Sequence, residues 1–318
     1  IYMTEQLKIL RNILGDFYTS GEESLFQCPY CNHHKKKLSV NLEKNAYQCW
    51  VCGAGSKDIY RLIRRFGSFK QKDQWRELVG TAPALSRFGV DMFNAITGEE
   101  TEELQVVPLP EGYKTLSEPS ASLSYRKAKS YLTRRGITQQ DALWWRMGYC
   151  STGKYKGRII IPSFDTQGNI SYFVARSFDG HPRRYLNPPV SRNIVFNELM
   201  INFDKEVIIV EGVFDAIKAG KNAIPILGSN LTERGKLFRK IVENDTPVIL
   251  ALDADATKKS SRIKKLFLKY GIEVREINTE GFEDVGEMTK EQFTKVLNKA
   301  TFINETNYLH QAITNISL

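Results

Sequence analysis

From Lys205 onward the chain alternates short, wholly apolar runs with helix-length amphipathic ones. "EVIIVE", "AIPIL", "PVILALD" and "IEVREIN" read as strands. "VFDAIKAG", closed by Gly220, reads as a helix, as do "TERGKLFRKIVEN", "TKKSSRIKKLFLKYG", closed by Gly271, and "KEQFTKVLNKA". Strands that are apolar on both faces must be covered on both. Strand–helix repeats achieve this as a parallel sheet flanked by helices. A four-stranded parallel sheet is therefore expected over residues 205–288, with a helical segment over 289–318.

The strand ends of this block carry acids where an ordinary core strand would not. Glu211 closes the first strand, and Asp215 follows on the first helical turn. Asp253 and Asp255 close the third strand, and Asp284 and Glu287 follow the fourth. Ligand sites in open parallel sheets lie outside the carboxyl ends of the strands, so these acids are expected to converge. Asp253 and Asp255 are two apart, which on an extended backbone puts both side chains on one side. Clustered carboxylates repel one another unless a cation sits among them, and an all-oxygen set suits magnesium or manganese rather than zinc. Such ions orient and neutralise phosphates. The alternative is capping, with Asp255 as an N-cap ahead of "ATKKSSRIKK" and Asp215 steadying a helix start.

The N-terminal region makes a different demand. "CPYC" (Cys28, Cys31) and "CWVC" (Cys49, Cys52) are two Cys-x-x-Cys pairs whose spacing is that of a zinc ribbon. Four thiolates form a closed tetrahedral site, so this zinc is structural. His33 and His34 are alternative ligands or surface neighbours. Lys35, Lys36 and Lys37 form either a solvated face or, with Tyr30, Tyr47 and Trp50, a nucleic-acid surface. The fifth cysteine, Cys150, is expected buried and inert, Trp144 and Trp145 are expected to pack, and His181 has no evident partner.

Between these regions lies "EETEELQVVPLPEGYKTLSEPSAS", whose prolines and small polar residues give linker composition, so residues 67–124 are taken as linker. From Tyr125, "YRKAKSYLTRRGITQQDALWWRMGY" predicts two short helices broken at Gly136. "GRIIIPSFD" and "ISYFVARSF", joined by "TQGN", predict a hairpin. Residues 125–204 carry 13 Lys and Arg against five Asp and Glu, the most basic block of a chain whose net charge is +9. Charge of this density suits a polyanion, most often nucleic acid. No apolar run approaches the roughly 20 residues that span a bilayer, and no signal-peptide pattern opens the chain. A soluble, cytoplasmic protein is expected.

"VIIVEGVFDA", "LDADA" and "EDVGE" resemble the three motifs of the TOPRIM fold, shared by DNA primases, topoisomerases and certain nucleases. "YLTRRGI", "YKGRIIIP", "DTQGNISYFVAR" and "RRYLNPP" resemble, in order, stretches of the primase polymerase core. With the ribbon at residues 1–66, the likeness covers most of 25–290. By size and by its four cysteine ligands the chain is similar to the primases of tailed phages. The resemblance implies an α/β (α+β) architecture: zinc ribbon, linker, basic subdomain over 125–204, TOPRIM domain over 205–288.

It also implies a DNA primase, a nucleotidyltransferase that makes RNA primers on single-stranded DNA from ribonucleoside triphosphates. Glu211 would be the general base or a metal-positioning acid. Asp253 and Asp255 would hold magnesium or manganese, with Asp215 and Asp284 completing the cluster. Lys156, Arg158, Arg176, Arg184, Tyr185 and Asn187 would line the groove for template and triphosphate. The third motif often has a second Asp where this chain has Gly286, so that ligand is either missing or supplied by Glu287. Downstream of "YLNPP" bacterial relatives carry a lysine where "VFNEL" offers Glu198. No G-x-x-x-x-G-K-[ST] is present, so a separate replicative helicase is the expected partner. The competing readings are a TOPRIM nuclease, which shares the carboxylates, and a non-catalytic zinc-ribbon protein that binds single strands.

Overall fold

The computed structural model describes residues 3–79, 105–228, 231–279, 281–282 and 284–303. The chain divides into two compact units. The first comprises residues 1–98, 267–275 and 301–318, and the second 99–266 and 276–300.

The first unit opens with a helix, Glu5–Leu14, capped by Thr4, whose hydroxyl accepts from Leu7 N at 3.3 Å. An antiparallel meander follows in chain order: β1 Tyr18–Ser20, β2 Glu23–Phe26, β3 Leu38–Asn41, β4 Ala46–Cys49 and β5 Gly55–Ser56. The β3–β4 register sets Leu38 opposite Cys49 and Val40 opposite Tyr47. Phe26, Leu38 and Val40 from the strands pack with Leu10, Leu62 and Ile63 from helices, all with no exposure. Two helices, Tyr60–Phe66 and Phe69–Val79, follow. The second lies within the expected linker, in a stretch with some helical spacing. Residues 80–104 of that expected linker lie outside the described residues.

The second unit begins with β6 Tyr113–Thr115, also within the expected linker. The two predicted helices form over Leu123–Arg134 and Gln139–Trp144, broken at Gly136 (φ 63°). β7 Gly148–Cys150, β8 Arg158–Phe164 and β9 Ile170–Ser177 complete an antiparallel sheet in the order β6-β7-β8-β9. The hairpin turn is closed by Asp165, whose Oδ1 accepts from Gln167 N (2.9 Å) and Asn169 N (2.8 Å). Asp supplies this turn because its short carboxylate reaches backbone N–H groups two and four residues on.

The strand–helix block forms as the alternation requires, in a sheet of five strands among the described residues where four were expected. β10 Val207–Val210 pairs in parallel with β11 Ala223–Pro225 and with β12 Val248–Ala251, setting Ile209 beside both Ile224 and Leu250. Every residue of these three strands is buried. The fourth expected strand forms as β13 Val274–Glu276. Helices Val213–Ala219, Lys236–Glu243, Thr257–Lys269 and Lys290–Asn298 alternate with them. The second of these starts four residues later than the sequence suggested. Thr232–Gly235 instead makes a turn, with Gly235 N donating to Thr232 O at 2.9 Å.

A continuous core joins the two sheets of this unit. Tyr149, Ile159, Ile161 and Tyr172 from the antiparallel side pack in one cluster with Val210, Val213, Phe214 and Ile249. Truncating such a side chain to alanine costs about 2–5 kcal/mol, so the basic subdomain is held rigidly against the strand ends that carry the acids. Of the C-terminal segment expected over 289–318, the helix Lys290–Asn298 and β14 Thr301–Ile303 form, and 304–318 lie outside the described residues. Among the described residues no helix is long and apolar enough to cross a membrane.

Candidate active site and metal centre

The carboxylates gather at the C-terminal ends of β10 and β12. Glu211 immediately follows β10. Next to it Gly212 turns the chain into the helix Val213–Ala219, and Asp215 Oδ2 accepts from Gly212 N at 2.8 Å. Asp215 thus does the capping work that its position allowed, and it stays within electrostatic reach of the other acids. Burial first, and then the charge on Asp284, push its carboxyl up to about 6, against the pull of the Gly212 and Gly286 N–H groups and of Arg135. Asp253 is pushed up to about 7, chiefly by burial and then by the charges of Asp215, Glu211, Asp284 and Asp255. Five acids from three separate stretches of sequence therefore share one neighbourhood.

The strand expected to present Asp253 and Asp255 together ends earlier, at Ala251. Beyond it the chain turns, with Ala256 N donating to Asp253 O at 3.0 Å. Asp253 is half-buried and Asp255 exposed, so they do not share one extended face. Asp255 is not the N-cap of Thr257–Lys269, because Ala256 holds that position and its carbonyl accepts from Ser260 N. Asp284 caps a short turn, its Oδ1 accepting from Glu287 N at 2.9 Å, while the Glu287 side chain is exposed. At Gly286 a Cβ would lie 2.8 Å from Asp215 Oδ1 and 3.1 Å from Asp284 Oδ1. A side chain there would press on both carboxylates, so glycine suits this arrangement of the acids.

Two oxygens in the cluster, Glu211 Oε1 and Asp253 Oδ1, are buried with no hydrogen-bond partner among the described residues. An unpartnered buried carboxylate oxygen is costly. A hard divalent cation is the partner that an all-oxygen set of this kind accommodates, so the residues fit magnesium or manganese. The other oxygen of Glu211 is taken: Lys259 Nζ lies 2.6 Å from Oε2. Neither Lys259 nor Arg135 was singled out from sequence. Arg135 stands in "YLTRRGI", but nothing in its local pattern shows that it faces the acids. Lys259 lies among several basic residues on its helix, and only the fold selects which one turns inward.

The basic hairpin is arranged in layers. The Arg135 guanidinium stacks over Phe214 (4.9 Å) and Tyr131 (5.5 Å). Arg176 Nε donates to the Tyr131 hydroxyl at 2.9 Å, and its guanidinium stacks over Tyr185 at 4.7 Å. This ladder of arginines and aromatics leads from β9 to the helix that bears Asp215. Lys156, Arg184 and Tyr185 are exposed. Arg158 differs, because it is buried and donates to the carbonyls of Arg183 (2.9 Å) and Arg184 (3.2 Å). Its guanidinium holds the 177–185 loop. Asn187 Oδ1 accepts from Ala175 N at 3.1 Å. His181 has a partner after all: its Nδ1 accepts from Arg183 N at 3.0 Å. Glu198, where relatives were expected to carry lysine, is buried and pairs with Lys236 (2.9 Å) and Lys240 (3.6 Å).

In the first unit, ligand atoms of Cys28, Cys31, Cys49 and Cys52 all lie within 4.8 Å of one another, and none is in a disulfide. Cys28 and Cys52 sulfurs are 3.8 Å apart, and Cys31 and Cys49 sulfurs 3.9 Å. A tetrahedron with zinc–sulfur arms of about 2.3 Å has edges of about 3.8 Å, so the donor set fits zinc. Each pair sits on a matching tight turn: Asn32 N donates to Cys28 O with Asn32 at φ 49°, and Gly53 N to Cys49 O with Gly53 at φ 75°. His33 and His34 stack on each other at 4.3 Å and lie outside the four-sulfur group. Tyr30 and Tyr47 do not line a surface. Tyr47 is buried, and the two hydroxyls meet at 3.0 Å. Trp50 is 70% exposed, and its backbone N–H donates to Lys37 O at 3.0 Å, which ties the residue's main chain to the lysine run. Cys150 is buried, its thiol pushed up to about 11 by desolvation, as an inert cysteine should be.

No family model matches the chain. Among curated proteins it is similar to the DNA primase of Thermotoga maritima, 24% identical over 314 residues that cover 83% of this chain and 54% of that protein. It is also similar to the DNA primase of Clostridium acetobutylicum, 22% identical, covering 92% and 56%. The chain spans about half the length of these relatives. Among solved structures it resembles a DnaG primase catalytic domain bound to single-stranded DNA, with a TM-score of 0.52, 16% identity, and coverage of 73% and 84%. The Escherichia coli primase catalytic core matches with a TM-score of 0.50, 17% identity, and coverage of 60% and 78%. At such identities the structural likeness establishes the fold. By sequence over most of its length, and by the fold of its larger part, this chain is similar to the bacterial DNA primases.

Proposed function

We propose that the protein is a DNA primase, a nucleotidyltransferase that builds RNA on single-stranded DNA. The observation that carries this reading is the carboxylate cluster with its two unpartnered buried oxygens, set on the same rigid core as a basic, aromatic-laced hairpin. A nuclease would share the acids. The sequence likeness to primases, which extends from the ribbon through the hairpin, favours polymerisation.

In the reaction the 3′-hydroxyl of one ribonucleotide attacks the α-phosphate of the next, and pyrophosphate leaves. Glu211 and Asp253, with the Asp215 and Asp284 carboxylates behind them, would hold magnesium or manganese. The bound ion supplies charge neutralisation and alignment of the phosphates. Exposed Lys156 and Arg184 draw the phosphate backbone to the hairpin, and Tyr185, pinned under Arg176, offers a flat face to a base or ribose. The ion pair with Lys259 occupies Glu211 Oε2 and leaves Oε1 to the cluster, which favours a metal-positioning role over general-base work. On the ribbon, Trp50 beside Lys37 is a place for an unstacked template base. A separate helicase would expose the template.

The test is incorporation of labelled ribonucleotides with no primer supplied. RNA made on single-stranded but not duplex DNA supports the reading. Degradation of the template without RNA synthesis would replace it with the nuclease.

A further inference from the structure

The carboxylate cluster contains its own cation. Lys259 occupies the first turn of the helix Thr257–Lys269 and directs Nζ to Glu211 Oε2, with both side chains mostly buried at 24% and 18% exposure. A lysine is poorly placed there on local grounds. The first turn of a helix favours acids, and this one has none, while Lys258 and Lys259 both stand in it. What compensates Lys259 is the acid on the neighbouring strand end. The consequence is an ammonium group fixed beside the oxygens that a divalent ion would need. Among the described residues Glu211 is partnered at Oε2 by Lys259 and unpartnered at Oε1, and Asp253 Oδ1 has no hydrogen-bond partner.

Two cations sharing one carboxylate repel each other, and in a partly buried site solvent screens that repulsion weakly. An anionic triphosphate changes the balance. It brings negative charge for the ion and offers the lysine an alternative partner.

We propose that Lys259 is a built-in counter-cation that competes with the divalent ion for Glu211, so that the site holds the ion weakly alone and firmly only with a triphosphate. This rests on the carboxylates being the metal site of the proposed primase. Glu211 would then be released to the ion as Nζ moves to a phosphate oxygen, and entry of metal would be coupled to entry of nucleotide.

The test is manganese binding to the full chain, read as loss of the free-ion electron paramagnetic resonance signal, without nucleotide. Lys259→Met removes the charge. Lys259→Gln removes the charge and keeps a hydrogen-bond donor for Glu211, which guards against a fold defect in the first variant. Lys259→Arg keeps the charge. Asp253→Asn reports whether binding is at this site.

The expected result is Asp253-dependent binding that tightens at least tenfold in the Met and Gln variants and stays within about threefold of wild type in the Arg variant. Addition of ATP should shrink the gap between wild type and Lys259→Met. Asp253-dependent binding that is unchanged or weaker in both charge-removing variants would overturn the inference while leaving the carboxylate site intact. Binding that ignores Asp253 in every variant would overturn both.

Discussion

Lys290 Nζ lies 2.6 Å from Asp141 Oδ1, so a residue near the start of the last described helix is tied to one 149 positions earlier. Asp141 also closes the capping box of Gln139–Trp144, its Oδ2 accepting from Thr138 N at 2.9 Å. Burial raises its carboxyl, but the hydrogen bonds from Lys290 and Thr138 outweigh that and hold it below its ordinary value. A depressed carboxyl stabilises the fold above its unfolded pKa, near 3.9, and the contribution is lost as pH falls through the folded value. Because Lys290 is half exposed, the pair contributes about 1 kcal/mol. Asp141→Asn should lower the urea midpoint accordingly at pH 7, and the gap to wild type should narrow as pH falls below the ordinary carboxylate range.

The cysteine cluster should hold one zinc per chain, measured by elemental analysis of the purified protein. Cys49→Ser should lose it, and the 3–79 region should then become open to proteolysis. Structural zinc binding supplies on the order of 10 kcal/mol in small zinc folds, far more than this unit's modest core can replace.

Trp50 should report on single-stranded DNA directly. Base stacking on an exposed aromatic is worth about 1–3 kcal/mol, so Trp50→Ala should weaken binding of a single-stranded oligonucleotide by about five- to 150-fold in an anisotropy titration. Tyr47→Phe, which alters only a buried hydroxyl contact, should leave that affinity unchanged and lower thermal stability instead.

Arg158 and Arg184 should separate by phenotype. Arg184→Ala removes an exposed cation and should reduce the salt dependence of DNA binding by about one unit of slope. Arg158→Ala strips two charge-assisted hydrogen bonds from a buried position and should cost about 3 kcal/mol in stability.

These two arginines also show how far the sequence reaches. Periodicity and Gly punctuation are written along the chain, so β10 through β12, their helices and the β8–β9 hairpin are legible in it. Cys-x-x-Cys spacing is equally local, and the four sulfurs converge as it implies. What a side chain faces is set by distant residues. Arg158 and Arg184 read alike in a basic stretch, yet one is pinned to backbone carbonyls and the other is free to solvent. Tyr47 and Trp50 both lie near the ribbon's second cysteine pair, and strand alternation buries one while a turn exposes the other. Asp253 and Asp255 look like a matched pair until the strand ends at Ala251 and a turn parts them. Lys259 could not be found at all without the fold, because its meaning lies wholly in Glu211, 48 residues away.

The most direct measurement is primer synthesis on random single-stranded DNA with labelled ribonucleotides and magnesium, comparing wild type with Asp253→Asn. The account predicts short RNA products from wild type, loss of at least a hundredfold in the variant, and single-strand affinity unchanged in both. RNA synthesis by Asp253→Asn at the wild-type rate would contradict it, since the carboxylate cluster would then not be where the chemistry occurs.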